Sequence, residues 1–331
     1  MESVDKLIDY LRNNIGENSN DYNYYDLVIE QFNSYLQVLS KFVADDNFSS
    51  FLKKTEQFIG PPTKRRFINL IREVQNQCLL ILNLCYKGDF INATESLIRL
   101  LTKKKYTQYK LNDCYANYFT IDSKRLKIKF YYRRVDFSKE DIDIVPLNCW
   151  HVPFGLRYLA AKGRFNMLGY ICFYLADSPQ VAYAEVGKLD ENKIPYIGKF
   201  ELKEKCFFLN LTLPKVEEMS IYDKFCFLVT YPFYQLCLIK AKHKDAPFCE
   251  EYVFPQLFFH LLFCFNNSRK DLGLPNFLGI SYNSLECGNN EGICVVIPAN
   301  YQGNTPPKKG YSTFITSIFN QLEVVEYNNK I

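Results

Sequence analysis

An arginine behind a glycine, a strand tyrosine and a solitary helical glutamate fall close together in the run GRFNMLGYICFYLADSPQVAYAE, Gly163 to Glu185. The pair Gly163-Arg164, at the mouth of an expected strand, can offer a planar guanidinium to phosphate oxygens in a bidentate geometry that lysine cannot reproduce, and it is equally a common surface turn. Glu185 is the only charged residue between Asp177 and Lys188, set among Ala182, Ala184 and Val186. A carboxylate screened in this way needs a partner. A structural ion pair with Arg157 or Arg164 is one answer, and a role in chemistry is the other. Tyr174 alternates with its neighbours on a strand, a pattern that suits a core residue as well as a ligand. Arg133, in Lys129-Phe130-Tyr131-Tyr132-Arg133-Arg134, closes a strand that alternation makes half buried.

The elements that must position these residues are legible around them. Ser178 is a good N-cap and Pro179 suits a first helical turn, so a helix should follow the strand Tyr170 to Leu175 and carry Glu185 about two turns in. From Val4 to about Lys105 apolar residues recur at helical spacing, as in Phe67, Leu70, Ile71, Val74, Cys78 and Leu82, and in Tyr25, Val28, Phe32, Tyr35 and Leu39. Breakers at Gly16 to Asp21, Asp45-Asp46, Gly60-Pro61-Pro62 and Lys87-Gly88-Asp89 divide them into four or five antiparallel helices. After Lys103-Lys104-Lys105 short strands become frequent: Leu126 to Arg133, Tyr170 to Leu175, Tyr196 to Leu202, Cys206 to Leu211 and Ile293 to Ile297. Helices return at Ser220 to Lys240 and Glu250 to Cys264. The expected class is α+β, with an all-α domain over residues 1–112 and a second domain over 113–331.

Composition narrows the function. A net charge of +4 over 331 residues lacks the dense basic footprint of a nucleic-acid binder. The start of the chain has no apolar core for a signal peptide, and Phe225 to Ile239 and Tyr252 to Phe265 are too short and too interrupted to span a bilayer. A cytoplasmic protein without membrane segments is expected. The twelve cysteines are dispersed with no CxxC pair, which points to buried free thiols. His151, His243 and His260 lack metal-ligand spacing, so no metal is expected. The glycines from Gly288 to Gly292 precede a strand and do not join a strand to a helix, which argues against a Rossmann or P-loop site. Residues 1–112 hold no histidine for an RxxxxH ribonuclease motif.

The order of the motifs adds what no single residue carries. Tyr132-Arg133, then Gly163-Arg164-Phe165-Asn166 with Gly169, then Phe173-Tyr174-Leu175-Ala176, Ser178, Ala182 and Glu185 resemble the signature of the RES domain, the toxin of a bacterial toxin and antitoxin system. Glu251-Tyr252-Val253-Phe254-Pro255-Gln256 is similar to the segment before that family's late helix, and Gly279-Ile280-Ser281-Tyr282-Asn283-Ser284 to its glycine-isoleucine-x-tyrosine-x-serine motif. The likeness covers residues 115 to 300. Asn283 stands where the family has proline, Met167-Leu168 where a proline is common, and the stretch between Glu185 and Glu251 is longer than a compact toxin needs.

The resemblance implies a fold related to ADP-ribosyltransferases, with mixed sheets and flanking helices, and cleavage of NAD as substrate at its nicotinamide-ribose bond, by hydrolysis or phosphorolysis. It implies Glu185, Arg164, Tyr174 and Ser284 as catalytic residues and Arg133, Arg164, Asn166, Tyr174 and Ser284 as the groups that bind NAD. Water or phosphate is the acceptor, and a macromolecular acceptor would make the chain an ADP-ribosyltransferase. A catalytically dead nucleotide-binding or interaction module is the alternative from another class. An inhibitory antitoxin-like protein and a second copy of the chain are the expected partners, and the amino-terminal helices are expected to regulate or to bind a partner.

Overall fold

The computed structural model describes residues 2–15, 23–59, 63–102, 119–140, 148–244, 246–271, 275–287, 292–300 and 310–327. Among them the order is α1 (Glu2–Asn13), α2 (Tyr24–Val43), α3 (Asp46–Ile59), α4 (Lys64–Tyr86), α5 (Phe90–Thr102), β1 (Thr120–Asp122), β2 (Tyr131–Ser138), β3 (Cys172–Ala176), α6 (Pro179–Val186), β4 (Lys193–Leu202), β5 (Phe207–Leu211), α7 (Ile221–Leu238), α8 (Val253–Asp271), β6 (Phe277–Asn283), β7 (Ile293–Pro298), α9 (Thr313–Ile318) and β8 (Phe319–Glu326). The fold is mixed, with helices before an eight-stranded sheet, as the α+β expectation has it. The chain divides into two compact units, Met1–Thr120 with Leu213–Leu261, and Ile121–Thr212 with Leu262–Ile331. The expected boundary near residue 112 and the lysine triplet before it lie outside the described residues.

The first unit is built by the helical spacing of α1 to α5, whose apolar stripes are buried. The later helix α7 packs against α1, α2, α3 and α4. Every residue of α7 from Lys224 to Leu238 is buried, so its sequence has no polar face to reveal an amphipathic pattern. A capping box of Ser220 and Asp223 starts it, and the buried Lys224 ammonium pairs with Asp5 of α1. Pro232 inside α7 has no N–H for the Leu228 carbonyl, and the Tyr35 hydroxyl of α2 donates to that oxygen at 2.5 Å instead. Among the described residues no helix is long and apolar enough to cross a membrane.

In the second unit the strand order is β1-β5-β6-β7-β3-β2-β4-β8. The β5–β6 pair is parallel, and β6–β7, β7–β3, β3–β2, β2–β4 and β4–β8 are antiparallel. One face packs a core around Tyr131, Phe173, Phe200, Val295, Ile297 and Phe319. Expected strands shift at two ends. Strand β2 begins at Tyr131 because residues 123–127 form a turn in which Lys127 takes φ 56°, and β3 begins at Cys172 after Gly169 turns at φ 73°. Strand β6 was not foreseen. It is buried at all seven positions, so alternation is missing from FLGISYN.

Candidate functional site

Strand register decides which candidate residues can meet. Tyr132 lies opposite Ala176, and directly opposed side chains share a face of the sheet. Tyr174 and Ala176 on β3 lie opposite Val296 and Cys294 on β7, and these lie opposite Ile280 and Tyr282 on β6. By the two-residue period, Tyr132, Arg134, Tyr174, Cys294 and Tyr282 are therefore on one side, and Arg133, Phe173 and Leu175 on the other.

Helix α6 lies on the first of these faces, and Arg134 ties it there. The Arg134 guanidinium is fully buried. One NH group donates to the carbonyl oxygens of Tyr183 and Gly187, both at 2.9 Å, while Nε and the other NH group reach Asp136 at 2.6 and 2.9 Å. Its plane also stacks over the Tyr183 ring, 4.1 Å from the centroid. The helix begins at the Ser178 N-cap, whose hydroxyl accepts from Val181 N–H, and stops at Gly187 with φ 83°. Glu185 thus stands in the last turn, where the macrodipole disfavours an anion, and the Arg134 cation at the same helix end offsets that.

Glu185 meets the end of β6. The Ser284 hydroxyl donates to Glu185 Oε1 at 2.5 Å and itself accepts from the backbone N–H groups of Glu286 and Cys287, each at 3.3 Å. Ser284 is wholly buried, and its own N–H donates to Gly292 O at 2.7 Å. The serine is therefore held on three sides while its proton points at the glutamate.

The arginine turn is held as firmly. Gly163 and Asn166 exchange backbone hydrogen bonds at 2.9 and 3.4 Å. The buried Asn166 amide donates to the carbonyls of Ala161, Met167 and Tyr170, and its Oδ1 accepts from the Tyr174 hydroxyl at 2.7 Å. The same hydroxyl accepts from Phe165 N–H at 3.3 Å. Asn166 and Tyr174 thus latch the turn to β3 and set the position of the half-buried Arg164. Glycine is required at 163 by space, since a Cβ there would lie 2.6 Å from Asn166 Oδ1 and 2.7 Å from the Tyr174 hydroxyl.

Tyr282, the tyrosine of the glycine-isoleucine-x-tyrosine-x-serine motif, is not among the six expected site residues, yet it lies beside them. Its ring packs on Phe165 with centroids 4.8 Å apart. Burial pushes its hydroxyl well above the ordinary value, the neighbouring Cys294, Glu185 and Tyr174 push the same way, and Arg164 opposes them. One phenol thus lies within electrostatic reach of Glu185, Tyr174 and Arg164. The fully buried Cys294 thiol is raised by burial and then by Glu185 and Asp177, with a Tyr282 hydrogen bond opposing.

Of the six expected site residues, hydrogen bonds join Ser284 to Glu185 and Tyr174 to Asn166 in the turn of Arg164, Glu185, Tyr174 and Arg164 all lie within electrostatic reach of Tyr282, and Arg133 is left on the opposite face. There Arg133 lies over the Phe173 ring, 5.7 Å from its centroid, with Nε buried and without a hydrogen-bond partner, and burial works against its charge. His151, beside it, is wholly buried. Its Nδ1–H donates to Val152 O at 2.7 Å and its Nε2 accepts from Ser312 N–H at 2.8 Å, which fixes a neutral tautomer. Burial, together with the Arg133 charge, brings His151 down to about 4. The Glu251 motif belongs to the first unit, where the buried Glu251 carboxylate accepts from Lys242 N–H at 3.0 Å and from the Cys249 thiol at 3.1 Å.

A cleft of about 510 Å³ opens at the amino-terminal end of α6, lined by Lys127, Lys129, Tyr132, Asp177 and Ser178 among others. Neither Glu185 nor Arg164 lines it. The candidate site is placed at the side-chain cluster because the Ser284–Glu185 hydrogen bond lies there and the charges of Glu185 and Arg164 both reach Tyr282. Asp177 links the two, since it lines the cleft and its charge reaches Cys294 and Cys287 together with that of Glu185. Among the described residues no group of three or more histidine, cysteine, aspartate or glutamate side chains could hold a metal ion.

The chain is 29% identical over 156 residues to "Putative toxin YopC" of Bacillus subtilis (strain 168), a match that covers 42% of this chain and 34% of that protein. The chain thus spans about a third of the length of the curated relative it matches. No family model and no solved structure matches the chain.

Proposed function

We propose that the cluster around Glu185 cleaves the nicotinamide-ribose bond of NAD and that the chain acts as a growth-arresting toxin or defence effector. The observation that carries the reading is the Ser284 to Glu185 hydrogen bond, which joins the last of the ordered motifs to the helix of the third. The likeness to a protein named as a toxin supports the biological role.

Nicotinamide in NAD is a cation and leaves as a neutral molecule, taking the electron pair of the carbon–nitrogen bond, so no general acid is needed. Positive charge then develops on the ribose, and the barrier is that of an oxocarbenium ion. A carboxylate held beside that carbon by a serine and a clamped helix stabilises the charge without reorganising, a contribution of roughly 3–4 kcal/mol for one well-placed group. In this reading Glu185 is that group, Ser284 orients it, Arg164 holds a phosphate, and Tyr174 packs on the nicotinamide end. Asn166 holds the turn that carries Arg164.

The test is incubation of the full chain with NAD, with and without inorganic phosphate, followed by separation of the products. Free ADP-ribose marks water as acceptor, phosphorylated ADP-ribose marks phosphate, and labelled protein marks a transferase. No nicotinamide release under any of these conditions overturns the reading.

A further inference from the structure

The helical unit contains a pocket that the chemistry at Glu185 does not use. It has a volume of about 310 Å³ and is lined by α1, α2 and α7, with Tyr10, Glu30, Gln31, Tyr35, Tyr231 and Gln235 among its residues. Its inner wall follows from the proline in α7. Tyr35 is drawn onto the Leu228 carbonyl that Pro232 leaves without a donor, and Tyr231 donates to Leu11 O at 3.0 Å. The two rings come to rest with centroids 4.8 Å apart and planes at 51°.

Gln235 lies one turn beyond Pro232 and is only 7% exposed, yet its Oε1 has no hydrogen-bond partner. Buried polar side chains are nearly always paired, and one left unpaired against a cavity marks a place for a ligand's donor. A primary amide presents acceptor and donor side by side, the pattern that pairs with the edge of a nucleobase. The Tyr10 ring, 49% exposed, supplies a face for stacking, and the buried Tyr35 and Tyr231 rings close the inner wall. Glu30 is the sole charged residue among the described residues lining the pocket, and no lysine or arginine is among them, so a phosphate finds no counterion there. A pocket of roughly 300 Å³ is at the small end of the range for ligand sites, which fits a base or a nucleoside.

We infer that this pocket binds an uncharged nucleobase or nucleoside, read by the Gln235 amide and stacked on Tyr10. The inference is independent of the NAD chemistry.

The test is calorimetric titration of the full chain with adenosine, guanosine, cytidine and uridine, each also as its monophosphate. One nucleoside is expected to bind at one site per chain, with its monophosphate at least tenfold weaker. Gln235→Leu, similar in volume, should weaken binding at least tenfold and raise the Tm of the unliganded chain by about 2–4 °C, because it removes an unpaired buried amide. Ser34→Phe, at an exposed position on the pocket wall, should also abolish binding without touching Gln235. Glu185→Gln should leave nucleoside affinity unchanged, which separates this site from the one on the sheet. Binding by none of the four, equal binding of the monophosphate, or affinity that survives both pocket variants would overturn the inference.

Discussion

Ser284 and Glu185 stand 99 positions apart in the chain, and the serine hydroxyl donates to the glutamate Oε1 at 2.5 Å. The serine proton has one direction to go, because two backbone N–H groups already occupy the acceptor side of the oxygen. If the pair works as a unit, its two members cannot contribute independently. Ser284→Ala is expected to lower kcat about tenfold, equivalent to about 1.4 kcal/mol, with little change in KM. The double variant with Glu185→Gln should fall no further than Glu185→Gln alone. Additive losses in steady-state kinetics would separate the two residues.

Gly163 is placed by space. A Cβ at 2.6 Å from Asn166 Oδ1 and 2.7 Å from the Tyr174 hydroxyl must break the hydrogen bond that joins them. Gly163→Ala is therefore expected to destabilise the chain by roughly 1–3 kcal/mol and to lower activity through displacement of Arg164. Denaturant unfolding and a KM measurement check the two parts, and a variant with unchanged KM would show that the latch does not position the arginine.

Arg134 holds the last turn of the helix that carries Glu185. Removing one member of a buried ion pair leaves the other uncompensated, so Arg134→Met should destabilise by roughly 3–5 kcal/mol. Arg134→Lys keeps the charge but cannot reach Asp136 and both carbonyls together, and it should fold while losing activity. Full activity in Arg134→Lys would mean that the clamp does not set Glu185.

His151 gives the fold a pH dependence. Its folded value of about 4 lies below the ordinary 6.5, so the unfolded chain binds the extra proton first. The stability contributed by the neutral ring is complete above pH 6.5 and is lost as pH falls toward 4, a total of up to about 3 kcal/mol. Protonation would also place an N–H on Nε2 against the Ser312 N–H that it now accepts. Urea unfolding between pH 4.5 and 7 should therefore be steeper in the wild type than in His151→Gln. Parallel curves for the two would contradict this.

Several parts of the fold that face solvent on one side were readable in the sequence, though the half-exposed strand β8 was not. Helices α1 to α5 followed from periodicity and breakers, and α6 from Ser178 and Pro179. Helix α7 lies within the expected Ser220 to Lys240, whereas strand β6 was hidden because it is covered on every side and no alternation survives in FLGISYN. In the site, the residue types were legible and their faces were not. Arg133 and Arg134 are adjacent, and only the pairing of Tyr132 with Ala176 decides which of them shares a side with Glu185. Tyr282 could have been found by its two-residue spacing from Ser284, had β6 been recognised as a strand.

Release of nicotinamide from NAD by the wild type and by Glu185→Gln tests the central claim most directly. The wild type is expected to release nicotinamide, and Glu185→Gln to do so roughly 100-fold to 1,000-fold more slowly while keeping its fold and its affinity for NAD. Near-normal turnover by Glu185→Gln, or no turnover by the wild type, would contradict it.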